Sequence, residues 1–145
     1  MTPRELSVAV IHRRLAAMEE LLDIARGMGP ISAFRLEAEP VTRLAVERIL
    51  TQLVELASDI NGHIAAAAGA LSRTDYRATF DAVARLGVLP EELARELKPS
   101  VGLRNVLVHE YVNVELDIVA GAADRAFSRY ADYVRTVAAW VTSKR

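Results

Sequence analysis

From Val46 to Ile64 apolar side chains return every three or four residues: Val46, Ile49, Leu53, Leu56 and Ile60, with Leu50, Ala57 and Ile64 widening the stripe. That period belongs to an α-helix. A stripe this wide buries more than one side of the helix, so the segment must lie within a bundle. It opens after Pro40 and runs to about Gly69. The same rhythm recurs at both ends of the chain. Val8, Ile11, Leu15, Met18, Leu22 and Ala25 form one stripe, stopped by Gly27, Gly29 and Pro30. Leu116, Val119, Ala123, Phe127, Tyr130, Val134, Val137 and Val141 form another.

The punctuation between the stripes places the remaining elements. Thr2-Pro3-Arg4-Glu5 has the form of a capping box with proline in the first turn, so a helix should follow. Residues 31–40 read as a loop. Thr74 can cap a short helix through Tyr76, Phe80, Val83 and Leu86, with Gly87 as its stop. Leu89-Pro90-Glu91-Glu92 opens another helix. Pro99 is predicted to interrupt it and to begin the next one, because proline lacks the donor and clashes with the preceding turn. Asn113 is the predicted cap of the last helix. The expected architecture is an all-α antiparallel bundle of about four main helices plus a short one. No strand, repeat or interdomain linker is evident, so residues 1–145 are read as a single domain. The heptad-like stripes allow intrachain packing, a subunit interface, or both.

Composition narrows the setting. The chain of 145 residues is long enough to bury its own core. It has no cysteine, which excludes disulfides and thiolate metal sites. Its 18 basic and 19 acidic residues give a net charge of −1, so any nucleic-acid binding must use a local patch. No apolar run approaches the ~20 residues of a membrane span. The start, MTPRELSVAV, lacks a signal peptide's apolar core. A soluble cytoplasmic protein is expected.

One segment, Gly102–Tyr111, reads GLRNVLVHEY and sets four polar side chains among valines and leucines. On a helix, residues five apart differ by ~140° around the axis and rise ~7.5 Å. Arg104 and His109 therefore do not stack, but both can reach one cleft edge. Arginine can grip two phosphate oxygens and stabilise charge growing at phosphorus. Histidine takes or gives a proton near neutral pH. RNA brings its own nucleophile, the 2′-hydroxyl, so cleavage needs a base, an acid and a cation, and no metal. One chain offers one such histidine; two chains meeting here would offer two, which is a reason to expect a dimer with the cleft at its interface. The plain alternative is a cap, a salt bridge or surface decoration, and for Asn105 a helix-surface or turn role.

The segment fits R-x4-H-x-Y with Arg104, His109 and Tyr111, and it resembles the signature of HepT-type toxins in the HEPN superfamily. The likeness extends to VERILTQLVELASDINGHI, to YRATFDAVARLGVLPEELARELKPSVGLRNVLVHEY and to the final helix, and so covers most of the chain. The resemblance implies a helical homodimer whose motif lines a cleft between subunits, acting as a metal-independent RNA endonuclease without a cofactor. Carried over by position, Arg104 and His109 would be the active pair, with Asn105 as the polar neighbour. It also implies a partner, a minimal nucleotidyltransferase antitoxin that transfers AMP from ATP to the motif tyrosine, here Tyr111. A phosphodiester there would set bulk and negative charge beside Arg104.

Other polar residues carry less. Asp59 and His63 are four apart on one helix face. A buried hydrogen-bond network with Asn61 is the ordinary reading, and Asp59 is the candidate for supporting the cleft. His12, His63 and His109 are scattered, and no HExxH or clustered carboxylate set suggests a metal. Arg4, His12, Arg13 and Arg14 form a small basic patch, either solvated or a track for RNA backbone. Tyr76, Phe80, Phe127 and Tyr130 read as core. The functions in competition are an RNase toxin silenced by AMP transfer, a non-catalytic RNA- or nucleotide-binding module that partners the nucleotidyltransferase, and a helical oligomerisation domain.

Overall fold

Capping decides where the helices begin. In the computed structural model, which describes residues 5–70, 75–109 and 114–144, Ser7 precedes α1 (Val8–Gly27) and its hydroxyl accepts from the Val10 amide at 3.3 Å. Ser32 does the same for α2 (Ala33–Ala38), accepting from Arg35 at 3.1 Å. Pro40 opens α3 (Pro40–Ala67), where its missing N–H costs no hydrogen bond. Asp75 caps α4 (Tyr76–Arg85) through the Arg77 amide at 3.0 Å. The long helices α5 (Glu91–His109) and α6 (Leu116–Thr142) complete the chain. Gly87, at φ 78°, turns the chain between α4 and α5 in a conformation that favours glycine.

Among the described residues there are six helices and no strand. The all-α expectation holds, with three changes of detail. The segment read as a loop contains α2. Its Arg35 donates to the carbonyls of Met28 and Pro30, tying down the turn after α1. The predicted break at Pro99 does not occur: α5 runs straight through it. Pro99 lies on the exposed side of α5, so the carbonyl it leaves unpaired, on exposed Arg95, is open to water. Buried Leu93, Ala94, Leu97 and Val101 hold both halves of the helix on the core. The observed caps of α1, α4 and α6 are Ser7, Asp75 and Glu115. The predicted caps at Thr2, Thr74 and Asn113 lie outside the described residues.

The core has two parts. The larger joins α1, α3, α4, α5 and α6 and includes every stripe residue of α1 from Ile11 to Ala25. The smaller gathers Leu36 of α2, Val46 of α3 and Val119, Ala120 and Ala123 of α6. Leu103, Leu107 and Phe127 pack against both. Burial also encloses polar groups, several of which bond to one another. The Tyr133 hydroxyl donates to Asn61 Oδ1 at 2.7 Å and also lies 3.1 Å from the Ala57 carbonyl. Asn61 donates in turn to Thr79 at 3.3 Å, locking α3, α4 and α6 together. Tyr130 meets the Ser100 hydroxyl at 2.7 Å, and its ring packs edge-on against Tyr133. Burial raises both phenols above the ordinary tyrosine value, with the Ser100 hydrogen bond partly opposing it at Tyr130 and the neighbouring Tyr130 adding to it at Tyr133.

Candidate functional site

The last two turns of α5 carry the segment that the sequence singles out. Leu103 and Leu107 anchor it, each packing on both parts of the core. That fixes the helix face, and Arg104 is consequently aimed across the bundle. Its Nη2 donates to Glu55 of α3 at 3.1 Å, and its guanidinium lies 5.1 Å from the centre of the Tyr76 ring. Nη1 donates to the Asn105 side-chain oxygen at 3.1 Å. Only 19% of the Arg104 side chain is exposed, and its Nε is buried without an acceptor. The guanidinium is thus held between an aromatic face and a carboxylate while also bonding Asn105, a set of contacts that a lysine could not reproduce. Arg104 and Asn105 line a recess of about 420 Å³ with Asp75, Tyr76 and Val101.

His109 is the final residue of α5 and is exposed. It stands one and a half turns beyond Arg104, ~7.5 Å along the axis. Tyr111 lies outside the described residues.

The remaining candidates fall elsewhere. Asp59 is exposed and pairs with Arg14 of α1 at 3.9 Å; it is Glu55, one turn earlier on α3, that meets Arg104. The Nε2 of His63 accepts from the Ser7 amide at 2.9 Å, tying the start of α1 to α3. Asn61 forms the buried network described above. The basic patch on α1 is described at His12, Arg13 and Arg14, while Arg4 lies outside the described residues. The groove between α1 and α3 presents Glu20, Glu55 and Asp59. Among the described residues no group of three or more histidine, aspartate or glutamate side chains is placed to hold a metal ion. No described helix is long and apolar enough to cross a membrane.

Two residues of the site escape a reading of sequence alone. Glu55 is an ordinary polar position of a long helix until α3 is docked on α5, and the pair spans 49 positions. Tyr76 reads as core by its spacing, yet its half-buried ring faces Arg104. The signal that could have pointed to Glu55 is that it shares a helix face with Asp59, four residues on.

Phosphate chemistry suits this arrangement. With the guanidinium held by Glu55 and Tyr76, exposed Asn105 can swing aside and leave Nη1 to an incoming phosphate oxygen. An exposed imidazole nearby on the same rigid helix supplies proton transfer.

Comparison with known proteins agrees with the all-helical fold. The family model described as Ribonuclease HepT-like matches residues 14–137. The chain is 34% identical over 131 residues to the tRNA nuclease HepT of Aphanizomenon flos-aquae, covering 88% of this chain and 87% of that protein. Among solved structures it resembles a tri-AMPylated HEPN toxin of Shewanella oneidensis in complex with an MNT antitoxin. That match has a TM-score of 0.78 at 23% identity and covers 90% of this chain and 97% of the other. It also resembles YutE, a cytosolic protein of unknown function from Bacillus subtilis, with a TM-score of 0.81 at 17% identity over 96% and 93% of the two chains. The family match spans well over half of the chain and contains Arg104 and His109, and on that basis the chain belongs to the HepT-like ribonuclease family.

Proposed function

We propose that this protein is a metal-independent RNA endonuclease, the toxin of a HEPN/MNT toxin–antitoxin pair, acting in the cytoplasm. The whole chain serves as one domain. The observation that carries the reading is Arg104, desolvated and oriented by Glu55 and Tyr76, on the same helix as exposed His109. In the proposed reaction one His109 takes the proton of the RNA 2′-hydroxyl, whose oxygen attacks the adjacent phosphorus. The bond to the 5′-oxygen breaks, and that oxygen receives a proton from a second His109. Arg104 stabilises the charge that grows on the phosphoryl oxygens. Asn105 holds Nη1 until phosphate arrives.

The need for two imidazoles calls for a homodimer. Exposed apolar side chains favour one at this end of the bundle. Phe34 of α2, Val41 and Leu44 of α3 and Ile118 of α6 are exposed and belong to the elements that build the smaller part of the core, and exposed Val106 of α5 lies between Leu103 and Leu107, which pack against that part. A monomer leaves such a surface in water at a cost that association removes.

Control is assigned to Tyr111, as the acceptor of AMP from a cognate minimal nucleotidyltransferase that uses ATP. The solved neighbour that carries AMP groups and is bound to an MNT antitoxin supports this.

The test is RNA cleavage by protein produced without a nucleotidyltransferase, in excess chelator. Products ending in 2′,3′-cyclic phosphate are expected. Co-expression with a cognate minimal nucleotidyltransferase should add AMP at Tyr111, seen by intact mass and peptide mapping, and abolish cleavage. Intact RNA with retained binding would instead select a non-catalytic binding module.

A further inference from the structure

Gly102 occupies the interior of α5, where glycine costs about 1 kcal/mol relative to alanine. Its backbone does not call for glycine, since the positive-φ glycines described are Gly29, Gly69 and Gly87. What it leaves room for is Arg77: a Cβ at Gly102 would stand 2.7 Å from the Arg77 guanidinium. Arg77 therefore lies against α5 two residues before Arg104, and directly follows Tyr76, whose ring faces Arg104. The first turn of α4 thus touches α5 with two adjacent side chains, one at the recess around Arg104 and one beside it.

From that point basic groups continue along both helices. The two run antiparallel: Arg77 meets Gly102, and Asp81 pairs with Lys98 at 3.0 Å. Further on, Arg85, Arg95 and Lys98 line a groove of about 310 Å³ with Asp81 and Glu91. Arg77, Asp81 and Arg85 follow every fourth position of α4, spanning ~12 Å along its axis. Lys98 is compensated by Asp81, but Arg77, Arg85 and Arg95 are exposed and carry no ion pair among the described residues. Several surface arginines elsewhere are paired, among them Arg14, Arg26, Arg35, Arg129 and Arg135. Exposed Arg13, Arg48 and Arg125 are not paired among the described residues, but they are spread over α1, α3 and α6, whereas Arg77, Arg85 and Arg95 gather on two adjoining helices. In a chain of net charge −1 the groove lining is positive, with Arg85, Arg95 and Lys98 against Asp81 and Glu91, and Arg77 extends it toward the candidate site. The groove beside the α1 patch, by contrast, presents three carboxylates.

We propose that the α4–α5 groove binds the phosphate backbone of the RNA flanking the scissile linkage, with Arg77, Arg85 and Arg95 as its contacts. This rests on the ribonuclease reading for what occupies the recess at Arg104. Phosphate contacts position a nucleic acid without reading its sequence, so the groove adds affinity and register while chemistry stays at Arg104 and His109.

The test compares wild type with the double variant Arg85→Gln/Arg95→Gln, whose positions are exposed and remote from the recess. Binding is read by fluorescence anisotropy of a labelled single-stranded RNA at several salt concentrations, in a His109→Ala background. Cleavage is read on that RNA and on a dinucleoside monophosphate, which has no flanking phosphates. Loss of the two arginines should weaken RNA binding about tenfold and reduce the slope of log K on log salt by about 1.4. KM for the long RNA should rise with kcat unchanged, and cleavage of the dinucleoside should not change. Equal salt slopes and equal KM values would overturn the proposal and make this a solvated face. If wild type binds RNA without cutting it and the variant loses the salt slope, the groove stands and the ribonuclease reading falls. If wild type neither binds nor cuts RNA, both fall.

Discussion

Replacing His109 with alanine is expected to slow RNA cleavage by about 10²–10⁴-fold, and replacing Arg104 by about 10²–10³-fold. The first range is the usual contribution of a positioned acid or base; the second is that of a preorganised group facing developing charge. They correspond to roughly 2.7–5.5 kcal/mol of barrier. Neither variant should lose its fold. His109 is exposed at the last position of α5 and fills no space in the core. Arg104→Ala leaves Glu55 unpaired, but that side chain is 37% exposed and water can reach it. Arg104→Lys is a sharper probe. It keeps the charge but lacks the planar fork that bonds Glu55 and a phosphate together, so it should recover only part of the rate. Single-turnover cleavage of a fluorescent RNA in excess chelator reads all three, with circular dichroism as the folding control. A rate within threefold of wild type for either alanine variant contradicts the assignment.

The second large effect is on stability. Tyr133→Ala should cost about 3–5 kcal/mol, because it removes a fully buried ring and leaves Asn61 without its donor. Tyr133→Phe keeps the ring and should cost about 1–2 kcal/mol. Urea unfolding measures both; a loss under 1 kcal/mol for the alanine variant would mean that the three-helix lock does not bear on stability. The same burial predicts alkaline sensitivity. Folded Tyr130 and Tyr133 hold their protons above the ordinary tyrosine pKa of about 10, whereas the unfolded chain releases them there. Their contribution is fully present below pH ~10 and is lost as pH rises beyond it. The double variant Tyr130→Phe/Tyr133→Phe should flatten that decline.

Most of the fold is legible because helical burial is a local pattern. The stripe Ile11, Leu15, Met18, Leu22 and Ala25 is buried throughout, as is nearly all of the stripe on α3. The misread elements depend on context. Pro99 reads as a break because proline breaks an average helix, and nothing local reveals that its missing bond faces solvent. The helix α2 buries a single residue, Leu36, so it has no stripe to read. In the site, Arg104 and His109 stand out because a cation and an imidazole among valines and leucines call for a reason. Glu55 does not stand out, since its meaning comes from the docking of two helices. Asp59 draws attention by sharing a helix face with His63, yet it lies one turn from Glu55, the residue that holds Arg104.

The central claim is that two subunits share one cleft and that both His109 side chains take part in each cleavage. A heterodimer of wild type and His109→Ala, purified through two different tags, tests it directly. A shared cleft predicts that the heterodimer falls to the rate of the His109→Ala homodimer, since one imidazole cannot serve as base and acid at once. A heterodimer that keeps half of the wild-type rate would mean that each chain cuts RNA by itself, and would contradict the account.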